Sequence, residues 1–132
     1  MTSSFIKAAL AVFVIYIIGD YVWHTVLLGD FYFSRLSIIN DAPVSPSFPP
    51  FIVAFEAISA LVTARFIPRL SGNTSDALVN GGLLGLVSVG AVNFVNHSMI
   101  AGWDLTMVAV DTTFGVVLAA LAGVVAFRVA RK

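Results

Sequence analysis

The sequence predicts an all-α integral membrane protein: a four-helix bundle of two pseudo-repeated helical hairpins, with N and C termini both cytoplasmic. Three observations predict it. The chain has 132 residues, 59% hydrophobic and 11% charged, where a soluble domain carries roughly 25% charged residues. Its mean hydropathy is +0.99. The apolar residues gather into four long runs separated by polar stretches. One transmembrane domain over residues 1–132 is expected, with helices at about 5–28, 51–67, 77–100 and 105–127.

The first run, Phe5 to Leu28, reaches roughly 36 Å at 1.5 Å per residue, enough to cross a bilayer with some tilt. Its apolar stretch is too long for a cleaved signal peptide, and Gly19-Asp20-Tyr21-Val22-Trp23 lacks the small-x-small cleavage pattern. The following loop, residues 29–50, is polar and aromatic, with Asp30, Arg35, Asp41, Pro43, Pro46, Pro49 and Pro50. Phe31-Tyr32-Phe33 and the later Trp103 read as interfacial anchors, because amphipathic rings favour headgroup depth. The second run, Phe51 to Ile67, starts beside Pro50, a residue suited to a first helical turn, and ends at Pro68. Asp76 is placed to cap the third run, Ala77 to Ile100, and Asp104 to cap the fourth, Leu105 to Phe127.

Four spans put both ends of the chain on one side. Lys7, Arg65, Arg69, Arg128, Arg131 and Lys132 fall on that side and Arg35 on the other, so the positive-inside rule makes the termini cytoplasmic. Cysteine is absent, which excludes disulfides, thiolate metal sites and thiol catalysis. The formal net charge is zero, so no basic surface for nucleic acid is expected.

Two hexamers echo each other. Asp20-Tyr21-Val22-Trp23-His24-Thr25 lies in the first span and Asn93-Phe94-Val95-Asn96-His97-Ser98 in the third. Each places a carboxylate or amide four residues before a histidine, on one helix face. The spans that follow also correspond, Phe55-Glu56-Ala57 with Val110-Asp111-Thr112. Two parallel hairpins related by a twofold along the membrane normal would bring Asp20, His24 and Glu56 against Asn93, His97 and Asp111.

The polar groups gather at one depth. Counted from segment midpoints, Asp20 and Glu56 lie roughly 5 Å outward of centre, Asn93 and Asp111 roughly 7–9 Å, and the two histidines about 12 Å. An unpaired carboxylate facing lipid costs about 2.5–3.5 kcal/mol, so such groups are expected to meet inside the bundle. Small residues agree. Asp111, Gly115, Ala119 and Gly123 repeat every four positions in the fourth span. In the third, Gly82, Leu86, Gly90, Asn93 and His97 share a face, with Gly81 and Gly85 beside it. Such seams let helix backbones approach closely in lipid.

The chain resembles a known family in Asp20-x-x-Trp23, Asp30-Phe31-Tyr32, Gly90-x-x-Asn93-x-x-Asn96, Trp103 and Asp111-x-x-Phe114-Gly115. In their order and spacing these are similar to the small bacterial membrane proteins catalogued as domain of unknown function 2177. The resemblance runs from about Gly19 to Val125. It implies four helices and a bacterial inner (plasma) membrane, and no activity. The chain departs from the family pattern at Asn93, where an acid is usual, at His24 and His97, where leucine is, and at Phe114, where tryptophan is.

The function expected from the residues is binding, with or without passage, of a small polar ligand or cation at an intramembrane site near the outer leaflet. Asp20 and Asp111 are its charged centres, Asn93 and Asn96 its orienting amides, and Glu56, His24, His97 and Trp23 contributors. Three alternatives stand beside it. The carboxylates are a buried structural network. The protein is an accessory structural subunit of a larger membrane complex; its partners are then that complex or further copies of itself in a homo-oligomer. Or it is a membrane enzyme that uses paired carboxylates and histidines on a lipid-soluble substrate. No cofactor is expected. A divalent metal or haem b held by His24 and His97 are the alternatives that imidazole chemistry permits.

Overall fold

A computed structural model describes residues 3–40 and 50–131, and the regular elements among them are all helical. In chain order they are α1 Ser3–Leu27, α2 Gly29–Asn40, α3 Pro50–Leu70, α4 Thr74–Met99 and α5 Leu105–Ala130. All but α2 are long and apolar enough to cross a membrane. Asp41, Pro43, Pro46, Pro49 and Lys132 lie outside the described residues.

The helix ends follow local chemistry, and two differ from expectation. Pro50 does open α3, but Pro68 does not end it; the helix runs on to Leu70. Proline removes one backbone donor, and this close to the end the loss is small. There the Arg69 guanidinium donates to the Arg65 carbonyl at 2.7 Å. The cap of α4 is Asn73 rather than Asp76. The Asp76 N–H donates to Asn73 Oδ1 at 2.9 Å, while the Asp76 carboxylate accepts from Asn73 Nδ2 at 3.1 Å and from the Gly72 N–H at 3.0 Å. This is a variant of the capping box, in which Asp76 reaches back to the cap's side-chain amide and to the N–H of the residue before it rather than to the cap's own N–H.

Asp104 caps α5 as expected. Its Oδ1 accepts from the Met107 N–H at 2.8 Å, and its Oδ2 accepts from Arg35 Nε of α2 at 3.0 Å. The Met107 N–H, with Arg35 beside it, holds this carboxyl below its usual range. Asp104→Ala is expected to destabilise by about 1 kcal/mol, the usual worth of such a cap. Because the folded carboxyl is the stronger acid, its contribution is present above the ordinary carboxylate range and is lost as pH falls through the folded value. Thermal midpoints in detergent should therefore differ between variant and wild type at neutral pH and converge in acid. An equal gap at both would remove the cap from the account.

The sequence predicts a loop over residues 29–50; its Gly29–Asn40 part instead forms α2. Its Tyr32 and Arg35 lie three apart on one face, and both reach α5 or its cap. Arg35 also stacks on Phe31, 3.8 Å from the ring centre.

Packing centres on α5, which touches α1, α3 and α4. The core is built from small side chains around Val12 and Tyr16, with Ala60, Ala119, Ala122 and Ala126. Tyr16 shares a 2.9 Å hydrogen bond with Thr63 across α1 and α3. The tightest seam joins α4 to α5. A Cβ on Gly81 would meet the Ala119 carbonyl, one on Gly85 the Gly115 carbonyl, and one on Gly123 the Ala77 carbonyl at 2.6 Å. Large apolar side chains such as Leu10, Ile18, Leu61, Phe66 and Val87 point outward. Small inside and large apolar outside suits a protein whose helices contact a lipid bilayer.

The buried face of α4 is not a straight α-helical stripe. Gly81, Gly85, Gly90 and Asn93 are buried, while Leu86 and His97 are exposed. A π-helical stretch at Leu86–Gly90 adds a residue to the turn and rephases the helix, which brings Asn93 onto the Gly81–Gly85 side.

Candidate functional site

The polar residues converge at the end of the bundle away from the termini. All five helices and the α4–α5 turn supply them. The final stretch of α1, Val22–Leu27, is π-helical and carries Trp23 and His24. In α4 the π-helical stretch immediately precedes Asn93. Gly102, at φ 90°, takes a left-handed conformation that favours glycine, in the turn that sets Trp103 over the site.

Asp111 is the hub. Its Oδ1 accepts from Tyr32 OH at 3.0 Å and lies 2.9 Å from His24 Nε2. Its Oδ2 accepts from Asn93 Nδ2 at 2.7 Å. Each partner is itself held. Trp23 Nε1 donates to Tyr32 OH at 3.1 Å. Trp103 Nε1 donates to Asn93 Oδ1 at 3.2 Å, and Asn93 Nδ2 also reaches the Val89 carbonyl at 3.0 Å. His24 Nδ1 lies 3.1 Å from the Asp20 carbonyl and 3.4 Å from its carboxylate. With Asp111 ionised, only an imidazolium donates from both ring nitrogens at once. Burial, with the Asp111 carboxylate beside it, pushes the Tyr32 phenol up from its ordinary value, so the hydroxyl keeps its proton and donates.

Asp20 of α1 and the buried Glu56 of α3 form a second acidic group. Both line a cavity of about 420 Å³, together with His24, Asn93, Asn96 and Asp111. That volume lies within the roughly 300–1,000 Å³ of small-molecule sites.

The expected residues thus separate. Asp20, Glu56, His24, Asn93, Asn96 and Asp111 come together around the cavity. Trp23 stands behind its wall, stacked on Phe114 at 4.7 Å between ring centres and 5° between planes. His97 is exposed and is not among the lining residues; its Nδ1 meets the Trp103 carbonyl at 2.6 Å. The two imidazoles therefore do not face one cavity, and both nitrogens of His24 already face protein oxygens. A metal or haem iron held by both histidines would require new positions for them.

Tyr32 and Trp103 were read as interfacial anchors. Tyr32 is buried and bonds Asp111, and Trp103 lines the cavity and bonds Asn93. Each ring carries a polar hydrogen that a buried site must satisfy, and that is the signal the sequence held. Thr112 does not serve the hub: its hydroxyl is buried with no partner among the described residues.

A family model described as "Predicted membrane protein (DUF2177)" matches residues 5–128. No curated protein and no solved structure is matched.

Proposed function

We propose that this protein, which belongs to the DUF2177 family of predicted membrane proteins, binds a small cation or cationic ligand at Asp20 and Glu56 inside its bundle. The observation that carries the reading is how differently its acids are placed. Asp111 is occupied by donors from three helices, whereas Asp20 and Glu56 line the cavity with one basic group beside them among the described residues, His24, 3.4 Å from the Asp20 carboxylate. Two adjacent carboxyls repel when both are ionised, and a cation between them relieves that repulsion. Asp111 is then the group that positions His24, Tyr32 and Asn93, while Asn96 is a neutral contact for the ligand.

The distribution of basic residues supports termini in the cytoplasm, and the family resemblance supports a bacterial inner membrane. In that orientation the site lies toward the outer leaflet. The hairpin relationship also receives support: Asp20 and Glu56 of one hairpin and Asn93 and Asp111 of the other line the same cavity.

Dicyclohexylcarbodiimide, which modifies protonated carboxyls in apolar surroundings, tests the reading. In proteoliposomes, labelling of Glu56, read by peptide mass spectrometry, should fall severalfold with tetramethylammonium or dodecyltrimethylammonium relative to bulky N-methylglucamine. Asp20→Asn should abolish that protection while membrane insertion and the thermal midpoint hold. Protection by neither cation, or protection that survives Asp20→Asn while only the midpoint drops, would leave the acids as a structural network.

A further inference from the structure

We infer that the ligand is a membrane-resident amphiphile with a cationic head, admitted sideways between α3 and the far half of α4. This rests on Asp20 and Glu56 being the cation site and adds the class of molecule and its route.

The route follows from how the helices pack. α3 touches the 74–85 part of α4, but along residues 86–99 the two helices part. The cavity occupies that gap: Ile52, Phe55 and Ser59 of α3 line it on one side, Ser88, Val92 and Asn96 of α4 on the other. Ile52, Phe55 and Val92 are 37%, 44% and 53% exposed, and they stand on helices long enough to span the bilayer. The mouth therefore opens among hydrocarbon chains rather than into water.

Inside that mouth the chemistry changes. The inner wall carries Asp20, Glu56 and Asp111 against a single imidazole, and neither Lys nor Arg lines the cavity among the described residues. An anionic phosphate head would find no cationic partner there. A cationic head would be drawn to the acids; the Phe114 ring, one face of it covered by Trp23, lines the same cavity. A freely soluble cation gains nothing from an apolar entrance. An alkyl chain does, because it lies along Ile52, Phe55 and Val92 without leaving an apolar environment.

The test compares the same head with and without a chain, in the same proteoliposomes. Dodecyltrimethylammonium should protect Glu56 from dicyclohexylcarbodiimide at about a tenth of the tetramethylammonium concentration or less, a step of about 1.4 kcal/mol or more. Val92→Trp, which fills the mouth, should remove that advantage. Val87→Trp, on an exposed α4 position away from the cavity, should keep it. Equal protection by both cations, or a chain advantage untouched by Val92→Trp, overturns the lateral amphiphile and leaves the cation site standing. Failure of both cations to protect the wild type overturns the cation site itself.

Discussion

Asp111→Ala is expected to lower the thermal midpoint more than any other truncation in the polar interior. The substitution removes the acceptor for Tyr32 OH, His24 Nε2 and Asn93 Nδ2 together. Those donors come from α2, α1 and α4, so the loss is felt at three junctions of the bundle. Interhelical hydrogen bonds in membrane proteins average about 0.6 kcal/mol and reach about 1.7; bonds to charged groups are stronger, about 1.5–3. Three lost bonds, with partial rearrangement around the gap, amount to about 2–4 kcal/mol. Asp111→Asn should lie between, because its amide keeps one oxygen acceptor but turns a nitrogen donor toward groups that already donate. Melts in mild detergent, followed by circular dichroism, measure both. A midpoint for Asp111→Ala equal to wild type would show that the network fixes geometry without contributing stability.

Gly85→Ala should be nearly as damaging, and Gly82→Ala should be harmless. Both replace glycine by alanine within one helix, so both gain about 1 kcal/mol of helix propensity. They differ in what the new methyl meets. At Gly85 it runs into the Gly115 carbonyl and comes within 2.8 Å of the Ala119 side chain. Those are groups of the facing helix, and α4 must move away from α5 to admit it. At Gly82 the nearest atom is a Val116 methyl at 3.6 Å, an ordinary contact. Overpacking of this kind costs about 1–3 kcal/mol. Parting α4 from α5 also pulls Asn93 away from Asp111, so Gly85→Ala should lose more than a surface clash would. Midpoints in detergent, measured side by side, separate the two. Equal behaviour of the pair would mean that the α4–α5 seam is looser than its geometry.

Much of this fold was legible in the residues. Four spans followed from hydrophobic length alone, because a helix must cover the bilayer with its own side chains. Pro50 and Asp104 marked helix starts through rules that need only neighbouring residues. Pro68 misled because a missing donor matters less in the last turn than in mid-helix. Asp76 misled because Asn73 is an equally good cap and lies one turn earlier. The site was legible as a level along the helices: the acids, amides and histidines of every span lie toward the same end of the bundle. Its membership was only partly legible. Tyr32 and Trp103 looked like interfacial rings because no local pattern says whether an aromatic hydroxyl or indole faces a headgroup or a buried acid.

What the sequence determined by itself was the environment and the inventory: four apolar spans, the seam of small residues, and a set of acids, amides and histidines too costly to face lipid. These follow from transfer energies and helix periodicity, which act residue by residue. Tertiary structure alone decided which of those groups meet. The π-helical stretch at Leu86–Gly90 rotates Asn93 onto the buried side of α4 and leaves His97 outside. The short helix α2 brings Tyr32 to Asp111 over 79 positions of sequence. The parting of α3 from the far half of α4 opens the cavity. Each depends on a phase or an angle set by contacts distant in the chain. A single added residue per turn turns a helix face by about 100°, and that rotation is settled by packing rather than by local propensity.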